Sequence, residues 1–394
     1  MSRLAELIEE LCPDGVEYKQ LSECVVLPSI PSGLKRKQYE NSGSYPIVDQ
    51  GREKIAGFTC DETKLVRDVP GIVFGDHTRE IKYVDYFFVP GADGVKWIRA
   101  VDGVSIRYLF HCLTSLSIPS RGYNRHWILV REMLIPVPPL EVQREIVRIL
   151  DQFTTLEAEL EAELEARRTQ YEHYRNHLLS YESLAARGPV EMVKLGDIAS
   201  IQRGRRFTLD QLGGAGCPAI HYGQIYTHYG VSTTSVLSYI EESFSSSLRF
   251  ALQGDVIVAA VGETVEDVGI GVAWLGADAV AYHDDSFALH HEQDPRYLSY
   301  WLRSDEYHRQ KRSFVSQGKV KRLSAKGLAA VKLPLPGLSE QRRIADLLDH
   351  FDALVNDITS GLPAEIAARR AQYEHYRDRL LSFPEKVVSV SDAS

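Results

Sequence analysis

Two short segments hold the residue types that grip and read a polyanion. SRGYNRHW spans residues 120–127 and SQGKVKR spans residues 316–322. Each sets guanidinium, ammonium and amide groups around a glycine. Lysine and arginine neutralise phosphates and release their counterions. Arginine, asparagine, glutamine and lysine also pair with base edges in the major groove. The candidate readers are therefore Arg121, Tyr123, Asn124 and Arg125 in the first segment, and Gln317, Lys319, Lys321 and Arg322 in the second. Both lie in acid-free stretches, Gly103 to Arg131 and Tyr307 to Ser339. A solvated basic loop would explain one such stretch; two at matched positions point to nucleic acid. Lys35, Arg36 and Lys37, with Arg203, Arg205 and Arg206 in QRGRRF, are expected phosphate contacts. Tyr222, Gln224 and Tyr226 in HYGQIY read either as base contacts or as core.

Catalytic signatures fail one by one. Gly318-Lys319-Val320 lacks the hydroxyl and the upstream glycine of a nucleotide P-loop. Gly269-Ile270-Gly271 runs into Val272-Ala273-Trp274, so the dinucleotide fingerprint is broken. No Asn-Pro-Pro-aromatic sequence is present, as an amino-methyltransferase would need. His283-Asp284-Asp285 follows a strand-like Ala-Tyr and reads as a turn before it reads as a metal site. Cys12, Cys24, Cys60, Cys112 and Cys217 are scattered without a C-x-x-C pair, which argues against zinc and disulfides and suits a reducing cytoplasm. No apolar run approaches the ~20 residues that span a bilayer. The acidic opening, MSRLAELIEELCPDG, does not resemble a signal peptide. The expectation is a cytoplasmic chain with no catalytic residues, no metal and no membrane contact.

What positions the basic segments is a duplication. ARRTQYEHYRNHLLSY (166–181) returns as ARRAQYEHYRDRLLSF (368–383), 202 positions on. IPVPPLEVQREI (135–146) returns as LPLPGLSEQRRI (333–344), offset 198. Arg107-Tyr108-Leu109 matches Arg296-Tyr297-Leu298 at offset 189, and Val16-Glu17 matches Val190-Glu191 at offset 174. Each half reads as an opening motif, a variable block, an Arg-Tyr-Leu helix start, a Pro-x-Pro hinge and a long helix.

Residues 139–183 read as one helix. Apolar residues from Ile146 to Leu164 recur every three or four positions, followed by Tyr171, Tyr174 and Leu178. That length is roughly 65 Å at 1.5 Å per residue. Residues 334–383 repeat the pattern through Leu354 and Ile358, but four residues are inserted before Ala368. Ser360-Gly361-Leu362-Pro363 predicts a break near Gly361, with Ser360 capping a new helix and Pro363 in its first turn. Two amphipathic helices on one chain are expected to pair. Antiparallel pairing would put two heads at opposite ends, related by an approximate two-fold axis.

The blocks between are short β-rich runs bounded by Gly, Asp and Pro, closed by helical stretches at 107–115 and 296–312. The expected organisation is an α+β protein: two α/β heads joined by two long helices paired as an antiparallel coiled coil, a pseudo-two-fold internal repeat. Its boundaries are a first head at 1–135, a helix at 136–184, a second head at 185–333, a helix at 334–383 and a flexible tail at 384–394. The net charge of −9 looks wrong for a polyanion binder. Distribution corrects it: the helix 139–183 carries ten acids against five bases, whereas block 16–135 carries fourteen against sixteen.

LCPDGVEYKQL at the start, Pro-x-Pro before Gln143-Arg144 and again before Gln341-Arg342, and QYEHYR in both helices resemble, over nearly the whole chain, the specificity subunit of type I restriction–modification enzymes. The resemblance implies that the variable blocks are target recognition domains and the helices spacers. It implies a non-catalytic chain that binds double-stranded DNA and recruits two adenine methyltransferase subunits, then restriction/translocase subunits. S-adenosylmethionine would be held by the methyltransferase. The insertion near Gly361 departs from a symmetric spacer. A non-catalytic coiled-coil scaffold with two protein-binding heads stays open, favoured by the net charge.

Overall fold

The fold was taken from a computed structural model that describes residues 3–92, 94–356 and 361–386. Its contacts divide into two units: residues 1–161 with 365–394, and residues 162–364. Neither unit is continuous with a sequence half. The first combines its head with the start of the first long helix and the end of the second; the second unit combines the complementary pieces.

Both heads are built on one frame. In the first, a four-stranded antiparallel sheet runs Val25–Val26, Val95–Ala100, Gly71–Gly75, Ile81–Val84. The second head repeats that order as Ala199–Arg203, Ser286–His291, Val256–Ala259, Gly271–Trp274, and adds Ser232–Thr233 at the edge. A smaller sheet follows the same rule. Tyr45–Val48 pairs antiparallel with Gly57–Thr59 and parallel with Val89–Pro90. Its counterpart, Cys217–Ile220, pairs antiparallel with Ser238–Ile240 and parallel with Val280–Tyr282. The central strands Gly71–Gly75 and Val256–Ala259 are buried throughout, as strands covered on both faces must be.

The Pro-x-Pro segments are not the hinges that the sequence suggests: the first enters a strand at Pro136, and the second lies wholly within one. Leu134–Pro136 pairs with Tyr18–Gln20, and Lys332–Pro336 with Val190–Lys194. Proline survives because each ladder has only two strands and the missing N–H faces no partner. The register is the same in both copies: Tyr18 opposes Pro136, and Met192 opposes Pro334. Behind the ladders the buried hydroxyls of Tyr108 and Tyr297 donate to the carbonyls of Pro136 (3.0 Å) and Pro334 (2.7 Å). The Gln143 amide accepts from Ser105 N and donates to Pro138 O; that of Gln341 accepts from Asp294 N and donates to Pro336 O. The glutamine of the Gln-Arg motif thus locks the helix start to the Arg-Tyr-Leu helix.

The first long helix is shorter than its sequence pattern. It spans Leu140–Leu178, and Ser180 then caps a separate helix, Tyr181–Ala185. Leu178, Leu179 and Leu184 turn into the second core instead of extending the stripe. The second long helix starts at Leu338, not 334; it is described over Leu338–Asn356 and again over Leu362–Leu380, with Gly361 in a bend. Ile358 and the proposed Ser360 cap lie outside the described residues; Pro363 is in the first turn of the resumed helix.

The helices pair antiparallel inside each unit. In the first, Phe153 stacks on Tyr376 at 5.3 Å, while Arg370 pairs with Glu157 and Glu161. In the second, the Tyr171 hydroxyl donates to Asp352 at 2.9 Å and Tyr174 stacks on Phe351 at 5.6 Å. The expected tail is ordered where it is described: Val16 N donates to Pro384 O and Lys386 N to Val16 O, each at 2.9 Å. Gly15, at φ +90°, would set a Cβ 2.4 Å from the Pro384 carbonyl oxygen, so glycine alone fits there. These bonds carry the helix end into the first head, as the continuous chain through residues 181–190 does in the second.

Candidate nucleic-acid interface

Each of the two basic loops is anchored to the end of its head's central strand. In the first head, His126 N donates to Asp76 O and Trp127 N to Asp76 Oδ1, both at 2.8 Å, just beyond Gly75. The buried His126 ring also takes Arg121 N at 3.1 Å, which closes the loop base. Above that base Arg121, Tyr123, Asn124 and Arg125 are all exposed. The Tyr123 ring, 81% exposed, lies flat on His77 at 4.6 Å. In the second head Leu323 N donates to Ala260 O at 2.9 Å, and Lys321–Arg322 pairs with Val261–Gly262 directly after the central strand. Gln317, Lys319 and Arg322 are exposed and Lys321 is half-buried.

The two basic turns are structural equivalents, which the sequence does not announce. Leu34 N donates to Pro90 O (2.9 Å) and Arg205 N to Tyr282 O (3.3 Å), each on the parallel strand of the small sheet. The glycine before each is pressed on backbone. A Cβ at Gly33 would lie 1.7 Å from Gly91 O, and one at Gly204 2.1 Å from His283 O. Leu34 and Phe207 bury their side chains, and the basic residues Lys35, Arg36 and Lys37, and Arg205 and Arg206, are left outside. A glycine followed within three positions by a buried apolar residue, in a basic run, is the signal that could have matched them.

In the second head the two segments meet. Arg203 and Arg322 lie 3.5 and 3.2 Å from Asp285 Oδ1 and wall an open cavity of about 570 Å³ with Phe287, Phe314 and Ser316. In the first head no hydrogen bond or ion pair joins Lys35–Lys37 to Arg121–Arg125 among the described residues. His283-Asp284-Asp285 form the expected turn, with ligand-type atoms within 4.8 Å of one another. There His283 Nδ1 already accepts from Asp285 N at 3.0 Å, and Asp285 serves both arginines.

HYGQIY forms the short helix Tyr222–Thr227. The Gln224 amide is committed: Oε1 accepts from His221 N at 3.0 Å and Nε2 donates to Ser238 Oγ at 2.8 Å. Tyr222 and Tyr226 are half-buried against separate core clusters. Burial, reinforced by His283 and opposed by Asp285, lowers the His221 pKa to about 4, so its ring is neutral at neutral pH.

The duplicated frame, a pair of α+β heads each seated on an antiparallel helix pair, defines the fold of type I specificity subunits. The S subunit of the M. genitalium type I restriction–modification system superposes with a TM-score of 0.53 at 14% identity, covering 93% of this chain and 96% of that one. A chain from a study of complex assembly and conformational transition in the type I restriction–modification system gives a TM-score of 0.56 at 19% identity, with 94% and 98% covered. The family model for the type I restriction modification DNA specificity domain matches residues 13–166 and 188–368. The specificity subunit of the Escherichia coli enzyme EcoR124I/EcoR124II is 30% identical over 412 residues, covering 98% of each chain. A putative type I specificity subunit of Haemophilus influenzae is 30% identical over 295 residues, covering 70% of this chain and 72% of that one. The chain belongs to the type I restriction–modification specificity family. No helix among the described residues is long and apolar enough to cross a membrane.

Proposed function

We propose that this chain is the DNA-reading subunit of a type I restriction–modification complex and that it reads a bipartite, asymmetric target, one half-site per head. The observation that carries this reading is the matched pair of basic loops, each anchored to the end of the same buried central strand in its head. Loops hold the readers while rigid strands fix their register. Arg121, Asn124, Arg125, Gln317 and Lys319 are the proposed base and phosphate contacts. Lys35, Arg36, Lys37, Arg205 and Arg206 hold phosphates beside them. The loops differ in sequence, so the two half-sites differ.

Methylation and cleavage belong to partners in this reading. Two methyltransferase subunits, which hold S-adenosylmethionine, and the restriction/translocase subunits assemble on the chain. The exposed QYEHYR faces of the helices, with Tyr174 and Tyr376 partly uncovered, suit that contact. Long-read methylome sequencing tests the proposal in a host expressing this chain with its methyltransferase. A gapped asymmetric motif carrying methyl-adenine in each half, lost on deletion of the chain, is the expected result. An unchanged methylome, together with no DNA binding by the assembled complex, would sink it in favour of a protein-binding scaffold.

A further inference from the structure

The second unit contains a cavity of about 410 Å³ between the last turns of the helix Leu140–Leu178, the last turns of the helix Leu338–Asn356 and the head. Tyr171, Arg175, Tyr229, Arg303 and Asp352 are among its walls. Neither guanidinium group makes an ion pair with an acid among the described residues. Arg303 spends one nitrogen on the backbone carbonyls of Gly230 (2.7 Å) and Gly271 (3.0 Å). Arg175 packs over the Tyr171 ring at 5.5 Å and makes no hydrogen bond or ion pair among the described residues. Both Nε atoms lack an acceptor. The one carboxylate of the wall, Asp352, has an oxygen already taken by the Tyr171 hydroxyl and the Asn356 amide, each at 2.9 Å.

The duplication supplies an internal control. Arg377 of the first unit corresponds to Arg175, and its guanidinium is satisfied by Asp378 (2.8 Å) and the Thr114 carbonyl (3.0 Å). In the second unit Asn176 stands where Asp378 does, and Arg303 stands where Thr114 does. Asn176 turns instead to Asp305. One acid is lost and one base gained, and Asp352 in place of Thr154 returns a single negative charge. The cavity therefore carries one positive charge more than its counterpart and holds two arginines in place of one. Two unmatched guanidiniums in a part-enclosed site are an expensive arrangement without an anion, because each keeps donors that water only partly reaches. Arginine's planar fork suits a tetrahedral oxyanion, and a cavity of this size admits a small phosphate compound. Burial is the main cause that lowers the Arg303 pKa; Tyr171 and Asp352 oppose it and the nearby charge of Arg175 adds to it.

We infer that this cavity is a phosphate site, in which Arg175 and Arg303 hold a phosphate group that the first unit has no means to bind. The group is either free, as in a small phosphate compound, or part of a DNA backbone. Titration calorimetry of the full chain with inorganic phosphate should show one saturable site. Arg175→Gln should weaken it about tenfold, the worth of one charge-assisted hydrogen bond, and Arg175→Lys should restore part of the loss. Arg167→Gln removes the same charge from an exposed ion pair on the same helix and should leave phosphate affinity unchanged. Absence of saturable binding, or equal weakening by Arg175→Gln and Arg167→Gln, overturns the inference. Adding a DNA duplex assigns the source: displacement of phosphate means that a backbone phosphate occupies the cavity, and simultaneous binding means a free one.

Discussion

Arg203 and Arg322 stand far apart in the chain yet place their guanidinium groups on one carboxylate oxygen, Oδ1 of Asp285, at 3.5 and 3.2 Å. The shared acid orients both guanidinium groups while each side chain remains more than half exposed.

Arg322→Ala and Lys319→Ala are each expected to lower DNA affinity and to reduce the slope of log affinity against log salt by about one unit. Asp285→Asn should do the reverse to non-specific binding, strengthening it by releasing two guanidiniums. Anisotropy titrations with a labelled duplex over a salt series read both effects. A slope unchanged by Lys319→Ala would take that residue off the phosphate path.

Gly33→Ala and Gly204→Ala should each destabilise their head by about 1–3 kcal/mol, because the new methyl meets a backbone carbonyl that cannot step aside. Gly122→Ala, in open space but at φ +65°, should cost only the strain of that backbone, about 1 kcal/mol. Urea denaturation of the three variants separates close approach from strain.

Tyr108→Phe and Tyr297→Phe leave the carbonyls of Pro136 and Pro334 without a donor inside their cores. Each should cost about 1–2 kcal/mol, visible as a lower unfolding midpoint. A midpoint that does not move in either variant would mean that the hydroxyl contributes nothing to holding the Pro-x-Pro strand.

His308 lies among Lys311, Arg175, Arg312 and Arg303, and burial first, then those charges, lower its pKa to about 3. The folded state therefore binds its proton more weakly than the unfolded chain, whose histidine titrates near 6.5. Stability from this group is full above about pH 6.5 and is lost as the pH falls toward 3. His308→Gln should flatten the acid limb of a stability–pH curve between those values. A limb of unchanged steepness would assign acid sensitivity elsewhere.

The helices, the duplication and the basic loops could be read from sequence because each rests on local rules. A period of three to four marks Leu140–Leu178 and Leu338–Asn356, glycine and proline mark the break at Gly361, and runs of like charge stand out by inspection. Local rules also misled. The apolar stripe continued past Leu178, although Ser180 has the residue type of a cap and its hydroxyl accepts from Ser183 N. Pro-x-Pro read as a hinge because proline is a poor strand former, and only pairing with a segment over 100 residues away makes it a strand.

What the sequence by itself determined is that two similar halves exist, that their helices carry apolar faces and that basic loops recur before each helix. Tertiary structure decided which pieces stand together. It made each compact unit from pieces of both halves, aligned Gly33 with Gly204, and brought Arg203 and Arg322 to one carboxylate. It also left Arg175 and Arg303 facing one cavity. Periodicity and charge are properties of neighbours in the chain. Register, close approach and charge pairing depend on segments 37 to 370 residues apart, and only the packed core sets those distances.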